Sequence, residues 1–390
     1  MTGNDAHLES FEQRALMVGV VAALLTTVGA FFDAEQFFRS YLTAFCYWIA
    51  IPLGSLALLM LHHIAGGAWS LVIRRPAEAA ARTFPLMAVL LLPVLFGLHE
   101  LYEWTDADVV AADHILQQKS AYLNVPFFLA RSALYFAIWI AIGTALSKLS
   151  ARHDDTGDDD AARLMRRISG GGIALLALTI TFASVDWVMS LDPHWFSTLF
   201  GFMFLSSDIL ATLAFSICVL VYLKDREPFS RVLNPQHFHD LGNLLMGFVM
   251  VWAYLSFSQY LIIWSGNLKE EVGWYLDRNA NGWQAISGLL AVFHFFVPFL
   301  VLLTRHTKRA ESNLVKVAGF MLLMRWIDLH WIITPSLSAG AFTVHWMDFT
   351  TVVALGGLWL AYFARQLRSQ PLLPKNDPLL EAAMEPAGGH

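Results

Sequence analysis

About ten stretches of this chain are apolar for close to 20 residues each, and that repetition limits what it can fold into. A helix rising 1.5 Å per residue needs about 20 residues to cross roughly 30 Å of hydrocarbon. By hydropathy the spans fall near 15–32, 41–63, 83–104, 124–147, 170–191, 197–223, 241–264, 282–303, 314–333 and 346–364. Only 14% of residues are charged and the mean hydropathy is +0.53, so a soluble domain is the wrong class. A β-barrel is excluded as well, because its strands are short and alternate strictly. The expected fold is an all-α integral membrane protein of about ten transmembrane helices, in which each span satisfies its own backbone.

Lysine and arginine set the expected orientation. One set of connections carries Arg74, Arg75 and Arg82, then Lys148 to Arg167, Lys224 to Arg231, and Arg305 to Lys316, with Arg14 and the tail residues Arg365, Arg368 and Lys375 on the same side. The other side has Arg39, Lys119, Lys269 and Arg278. The positive-inside rule then puts both termini in the cytoplasm, as an even number of spans requires. The N-terminus is acidic (Asp5, Glu9, Glu12), and no cleaved signal peptide is expected.

A short repeat suggests the internal division. Val185-Asp186-Trp187 is followed by Pro193, seven positions past the aspartate, and Ile327-Asp328-Leu329 by Pro335 at the same offset. The two copies lie four spans apart, near the outer ends of spans running outward. This predicts a cytoplasmic segment 1–14, a peripheral helix and loop 15–40, a first four-helix bundle 41–191 (spans two to five), a second bundle 197–333 (spans six to nine), a peripheral helix 346–364 and a cytoplasmic tail 365–390. The outer connections Glu103–Tyr122, with Asp106, Asp108 and Asp113, and Leu268–Asn281 read either as docking surfaces or as solvated loops. The run His153 to Asp160 reads as a flexible solvated linker, and the tail beyond Gln370 as an extended arm.

Ionisable residues inside the spans carry the chemistry. A carboxylate in hydrocarbon costs about 2.5–3.5 kcal/mol or more and needs a partner or a task. Asp208 falls near mid-membrane and Asp186 closer to the outer end. Each reads either as a proton relay or as a structural group bonding a neighbouring helix. In Arg325-Trp326-Ile327-Asp328-Leu329-His330, Arg325 and Asp328 share a face at i,i+3. They form an internal pair, or else Arg325 pairs across helices and leaves Asp328 and His330 to exchange protons. His99 and Glu103 are i,i+4 neighbours at the end of span three, with Glu100 beside them; they are a proton exit or simply solvent-exposed. Arg131 sits at a depth where it can pair with one of them. His294 lies near mid-membrane, as a hydrogen-bonded interior residue or as a relay. The proton-path candidates are thus Asp186, Asp208, Asp328, His330, His294, His99, Glu100 and Glu103, with Arg131 and Arg325 as buried charges to be paired. No metal site is expected, and no haem, because no span carries two well-separated histidines. Cys46 and Cys218 encode neither a disulfide framework nor an iron–sulfur motif. A formal net charge of −6 suggests no nucleic-acid surface.

The run Ser184-Val185-Asp186-Trp187-Val188-Met189-Ser190-Leu191-Asp192-Pro193-His194-Trp195-Phe196-Ser197-Thr198 is long and specific. With Pro52-Leu53-Gly54, Leu61-His62-His63, Gly66-Gly67-Ala68-Trp69 and Arg74-Arg75-Pro76-Ala77-Glu78, it resembles the ActF-type membrane subunits of bacterial alternative complex III, within the NrfD-like (polysulfide-reductase membrane-subunit) superfamily. The resemblance spans nearly the whole chain. It implies a bacterial cytoplasmic membrane and a complex that oxidises quinol in a respiratory or photosynthetic chain. Haems and iron–sulfur clusters would lie on other subunits, with none bound by this chain. The partners implied are a sister NrfD-like subunit (ActC), which is the usual quinol site, a multihaem cytochrome, an iron–sulfur protein, a monohaem cytochrome, small membrane subunits, membrane lipid and a terminal oxidase. The chain itself would be non-catalytic and structural, with proton translocation through its buried Asp and His. The alternatives are a quinol site of its own, expected among spans two to five, and a stand-alone proton-coupled transporter.

Overall fold

The computed structural model describes residues 3–338, 342–377 and 380. The expected segments 1–14 and 365–390 therefore lie partly outside the described residues. Helices α1 (Gly3–Phe32), α2 (Ala34–Ala65), α3 (Ala68–Ala81), α4 (Phe84–Phe96), α5 (Val125–Thr156), α6 (Asp159–Trp187), α7 (Phe200–Leu223) and α8 (Pro235–Gly266) are followed by a short α9 (Lys269–Asp277), then α10, built from consecutive segments between Trp283 and Leu303, α11 (Glu311–Leu337) and α12 (Trp346–Arg368). No strand occurs among the described residues. Among the described residues nine helices are long and apolar enough to cross a membrane, and ten spans result if α3 and α4 count as one broken span. The protein is an all-α, multi-pass membrane protein.

Span three departs from expectation. Its apolar helix α4 has only 13 residues, about 20 Å, too short alone for a bilayer. Counted as one broken span, α3 supplies the missing length, meeting α4 at a bend of 46°. Residues 68–81 looked like a charged loop, yet Arg74, Arg75 and Glu78 lie on this helix and are buried. The run 153–160 is likewise no flexible linker. His153 to Thr156 finish α5, Gly157 takes the left-handed turn at φ 65°, and the Asp158 carboxylate caps α6 by accepting the Asp160 N–H.

α2 is the axis of the molecule. It is buried along most of its length and packs against α3, α6, α7, α11 and α12. Close approach to α7 is set by Gly54, where a Cβ would come within 2.3 Å of the Asp208 carbonyl oxygen and the Thr212 hydroxyl. Thr212 donates across the same contact to the Ile51 carbonyl at 3.0 Å. Beside α2 the interior is filled by rings: Phe45 and Phe136 pack on Trp187, and Trp139 meets Trp187 edge-on while donating to Thr179 at 2.8 Å. α1 lies outside, mostly against α12, and presents Leu16, Met17 and Leu24 outward. α12 is seated more deeply, with Trp359 fully buried and donating to Thr83 at 2.8 Å.

Two glycine substitutions separate close approach from helix propensity. Gly54→Val should drive α2 and α7 apart, costing at least about 1–3 kcal/mol. Gly319→Ala, where a Cβ meets nothing within 4 Å, should be neutral or stabilising by about 0.5–1 kcal/mol. Thermal unfolding of the detergent-solubilised protein checks both signs.

Candidate functional site

Arg131, Arg325, Asp186, Asp208 and Asp328 are all buried among the helices, and their grouping decides what each can do. Asp208 lies eight residues along α7, about 12 Å from its start, and Asp328 lies nine residues, about 14 Å, before the end of α11. The helices run antiparallel if both cross the membrane, so these depths match. Arg325, one helical turn before Asp328, reaches both acids. Its Nη1 donates to Asp328 Oδ2 at 2.7 Å and its Nη2 to Asp208 Oδ1 at 3.4 Å. All three residues are at most 3% exposed, and the guanidinium carbon lies 5.4 Å from the Phe204 ring centre. Cys46, Tyr47 and His294 lie within electrostatic reach of Arg325.

The charges of this trio do not balance. One guanidinium faces two carboxylates, so full ionisation leaves one net negative charge away from water. An uncompensated buried charge costs several kcal/mol after relaxation. A single proton shared by Asp208 and Asp328 removes that charge, while Arg325 stays ionised. The trio can therefore take up and release one proton. Arg325 bonds Asp328 within α11, as the internal pair expected, and also Asp208 across helices, so Asp328 is not left free for His330.

Asp186 is in a different situation. Arg131 of α5 grips it with two bonds, Nε to Oδ2 at 2.8 Å and Nη2 to Oδ1 at 2.9 Å, and the Tyr135 hydroxyl donates to Oδ2 at 2.6 Å. The guanidinium also donates to the Tyr122 carbonyl and lies against the Tyr122 and Phe127 rings at 3.8 and 4.3 Å. One cation meets one anion here in fork geometry, with no charge left over. The expected pairing of Arg131 with the end of span three does not occur.

The remaining candidates are dispersed. His99, Glu100 and Glu103 are exposed, and the helical turn Leu98–Leu101 stops before Glu103, so the i,i+4 register of His99 and Glu103 is broken by extended backbone at Tyr102. His330 lies between the Trp283 and Trp326 rings, 6.0 Å from each. His294 is fully buried and stacks on Trp252 at 4.0 Å, and neither ring nitrogen has a hydrogen-bond partner. It lies in a π-helical segment, Leu290–Phe296, that interrupts α10. Beside it a cleft of about 750 Å³ between α8 and α10 includes Asp328 in its lining.

Two features were not anticipated. At the opposite end from the Asp186 clamp, Glu78 accepts from Arg74 at 3.0 Å, from Arg75 at 2.5 Å and from Ser150 at 2.7 Å. Arg75 also pairs with Asp154, and Arg74 with Asp377 at 2.6 Å. The i,i+3 and i,i+4 spacing of these arginines to Glu78 was the available signal. Second, Arg278, expected in a solvated loop, is buried under the Trp274 ring at 3.5 Å and donates to the Trp274 and Ile332 carbonyls. Burial pushes it down to about 9, which still leaves it charged at neutral pH. On the same side, His194 and Asp113 meet at 2.6 Å, joining the segment after α6 to the acidic connection. The Asp113 carboxyl is held low by the Leu116 backbone N–H and then by His194.

Among the described residues no group of three or more His, Cys, Asp or Glu side chains is placed to hold a metal ion. No family model matches the chain, and no curated protein matches it.

The closed pair predicts a specific mutational pattern. Arg131→Met leaves Asp186 buried and unpaired and should destabilise by about 3–5 kcal/mol. Arg131→Met with Asp186→Leu should recover most of that loss. A double-mutant cycle on unfolding checks it, and additive losses would contradict the pairing.

Proposed function

We propose that this chain is a membrane subunit of a quinol-oxidising electron-transfer complex of the alternative complex III type, in a bacterial cytoplasmic membrane with both termini cytoplasmic. Its own contribution is to brace the assembly and to carry one proton at the Arg325 trio. The observation that supports the proton role is the charge imbalance of two buried carboxylates against one guanidinium. The partners proposed are the haem- and iron–sulfur-bearing subunits that the resemblance implies.

The mechanism follows from the trio's geometry. With the proton on either acid, Arg325 still bonds the other carboxylate. Both acids touch the same guanidinium, so the remaining carboxylate lies against Arg325 whichever acid holds the proton. A proton held on either acid thus keeps the trio neutral overall in hydrocarbon. The Arg131–Asp186 pair holds the ends of α5 and α6 fixed relative to one another and takes no part in the transfer.

Tagged full-length protein purified from its native membranes should carry haem and iron–sulfur proteins with it. Isolation as a lone substrate-binding monomer would replace this reading with that of a transporter. In the assembled complex, Asp208→Asn and Asp328→Asn should each lower the proton-to-electron ratio while the complex still assembles. An unchanged ratio in both variants would remove the trio from any proton path.

A further inference from the structure

Helix α1 is joined to the rest of the molecule along one narrow seam. It packs mostly against α12, and its Met17, Val18 and Leu25 stay more than half exposed. Midway along the seam the backbones touch: a Cβ at Gly357 would lie 2.4 Å from the Gly19 Cα. Beside that contact the seam is hollow. A space of about 470 Å³ runs from Phe11 to Val18 of α1, with Trp48 of α2 in its lining. A second space of about 390 Å³ continues it to Leu25, and Val18 and Val353 line both. The two make one groove, open sideways on helices that are apolar and long enough to cross a membrane.

The polarity of the groove is one-sided. Arg14, at one end, is the only charged residue lining either space. The Trp48 N–H is already given to the Val352 carbonyl at 2.9 Å, and beyond Val18 the only hydroxyl is that of Thr350. Arg14 is exposed, and the acids nearest to it in sequence are both held by Arg368, Glu9 at 3.2 Å and Glu12 at 2.9 Å. No carboxylate among the described residues forms an ion pair with Arg14.

The length fits one leaflet. From Arg14 to Leu25 is eleven residues, about 16 Å, half of the roughly 30 Å of hydrocarbon. The apolar stretch of α1 begins directly after Arg14, so the cation stands at headgroup level and the groove ends near the midplane. Water does not fill an apolar hollow, and its walls gain dispersion contacts when a chain enters. An arginine that no carboxylate neutralises suits a phosphate. A headgroup with net negative charge gains most there, whereas a zwitterionic one brings its own cation to the same place.

We propose that this groove seats an anionic phospholipid, its phosphate on Arg14 and one acyl chain lying along the seam to Leu25. The lipid then supplies packing that α1 lacks and ties that helix to α12. Binding requires only the membrane-spanning fold and is independent of the subunit reading.

The test uses the full-length protein with its native partners in phosphatidylcholine nanodiscs. These contain a trace of phosphatidylglycerol with a photoactivatable acyl chain, and the label is mapped by peptide mass spectrometry. Label should fall on residues 14–25 and 349–360 and be displaced by unlabelled phosphatidylglycerol. Arg14→Gln should lower it roughly fivefold. Val18→Trp, which puts a ring into both spaces, should lower it at least as far. Both side chains are exposed, so neither change threatens the fold. Arg365→Gln, which removes an exposed cation outside the groove, should leave the label unchanged. Equal displacement by added phosphatidylcholine, or an equal loss in the Arg14 and Arg365 variants, would overturn the site. So would a groove left unlabelled in the assembled complex, as a partner helix seated there would leave it. Copurification of haem proteins bears on the subunit reading alone.

Discussion

A guanidinium cannot shed its charge to enter a membrane, and this constraint organises the structure. Arg131 and Arg325 are both inside the protein, and each must meet an anion there. Arg131 meets one carboxylate in a two-bond fork with an added tyrosine hydroxyl, and that pair is complete. Arg325 meets two, and the arrangement is one negative charge in excess. The two sites thus differ in stoichiometry, one acid per guanidinium against two, and the proposed proton role rests on that difference. The two aspartates of the short sequence repeat, Asp186 and Asp328, differ in their partners: one guanidinium to itself for the first, one shared with Asp208 for the second.

The same rule operates at the opposite end of the helices. Arg74 and Arg75 share Glu78, and each takes one further acid, Asp377 for the first and Asp154 for the second. The tail is held there as well: Lys375 N–H donates to Asp154 at 3.1 Å, and Asn376 donates to the His153 and Asp154 carbonyls. Residues 370–377 are therefore tied down over the ends of α3 and α5. Buried ion pairs of this kind add little net stability over apolar packing, but breaking one partner is expensive, so they specify which ends meet.

Hydropathy is a local quantity, and what it could reveal was local. The spans, the intrahelical Arg325–Asp328 pair at i,i+3 and the exposure of Glu100 were open to inspection in the sequence. Partnerships across long separations were not: Arg131 and Asp186 are 55 positions apart, and Asp208 and Arg325 are 117 apart. α3 was misread for a physical reason. Hydropathy takes any charged residue as one that needs water, and in α3 the charges satisfy each other. Asp154 was misread for the same reason. The cleft was invisible because the span-eight residues that line it, such as Leu290, Phe295 and Phe299, are as apolar as the rest of that span.

The central claim is that the Arg325 trio holds one proton when the protein is at rest near neutral pH. Infrared spectroscopy of the protein in lipid, with hydrogen–deuterium exchange, reads protonated carboxyl groups directly through their C=O stretch. One buried carboxylic acid band should persist at neutral pH and disappear when Asp208 and Asp328 are both replaced by asparagine. A spectrum with no such band in the wild-type protein, or one unchanged in the double variant, would contradict it.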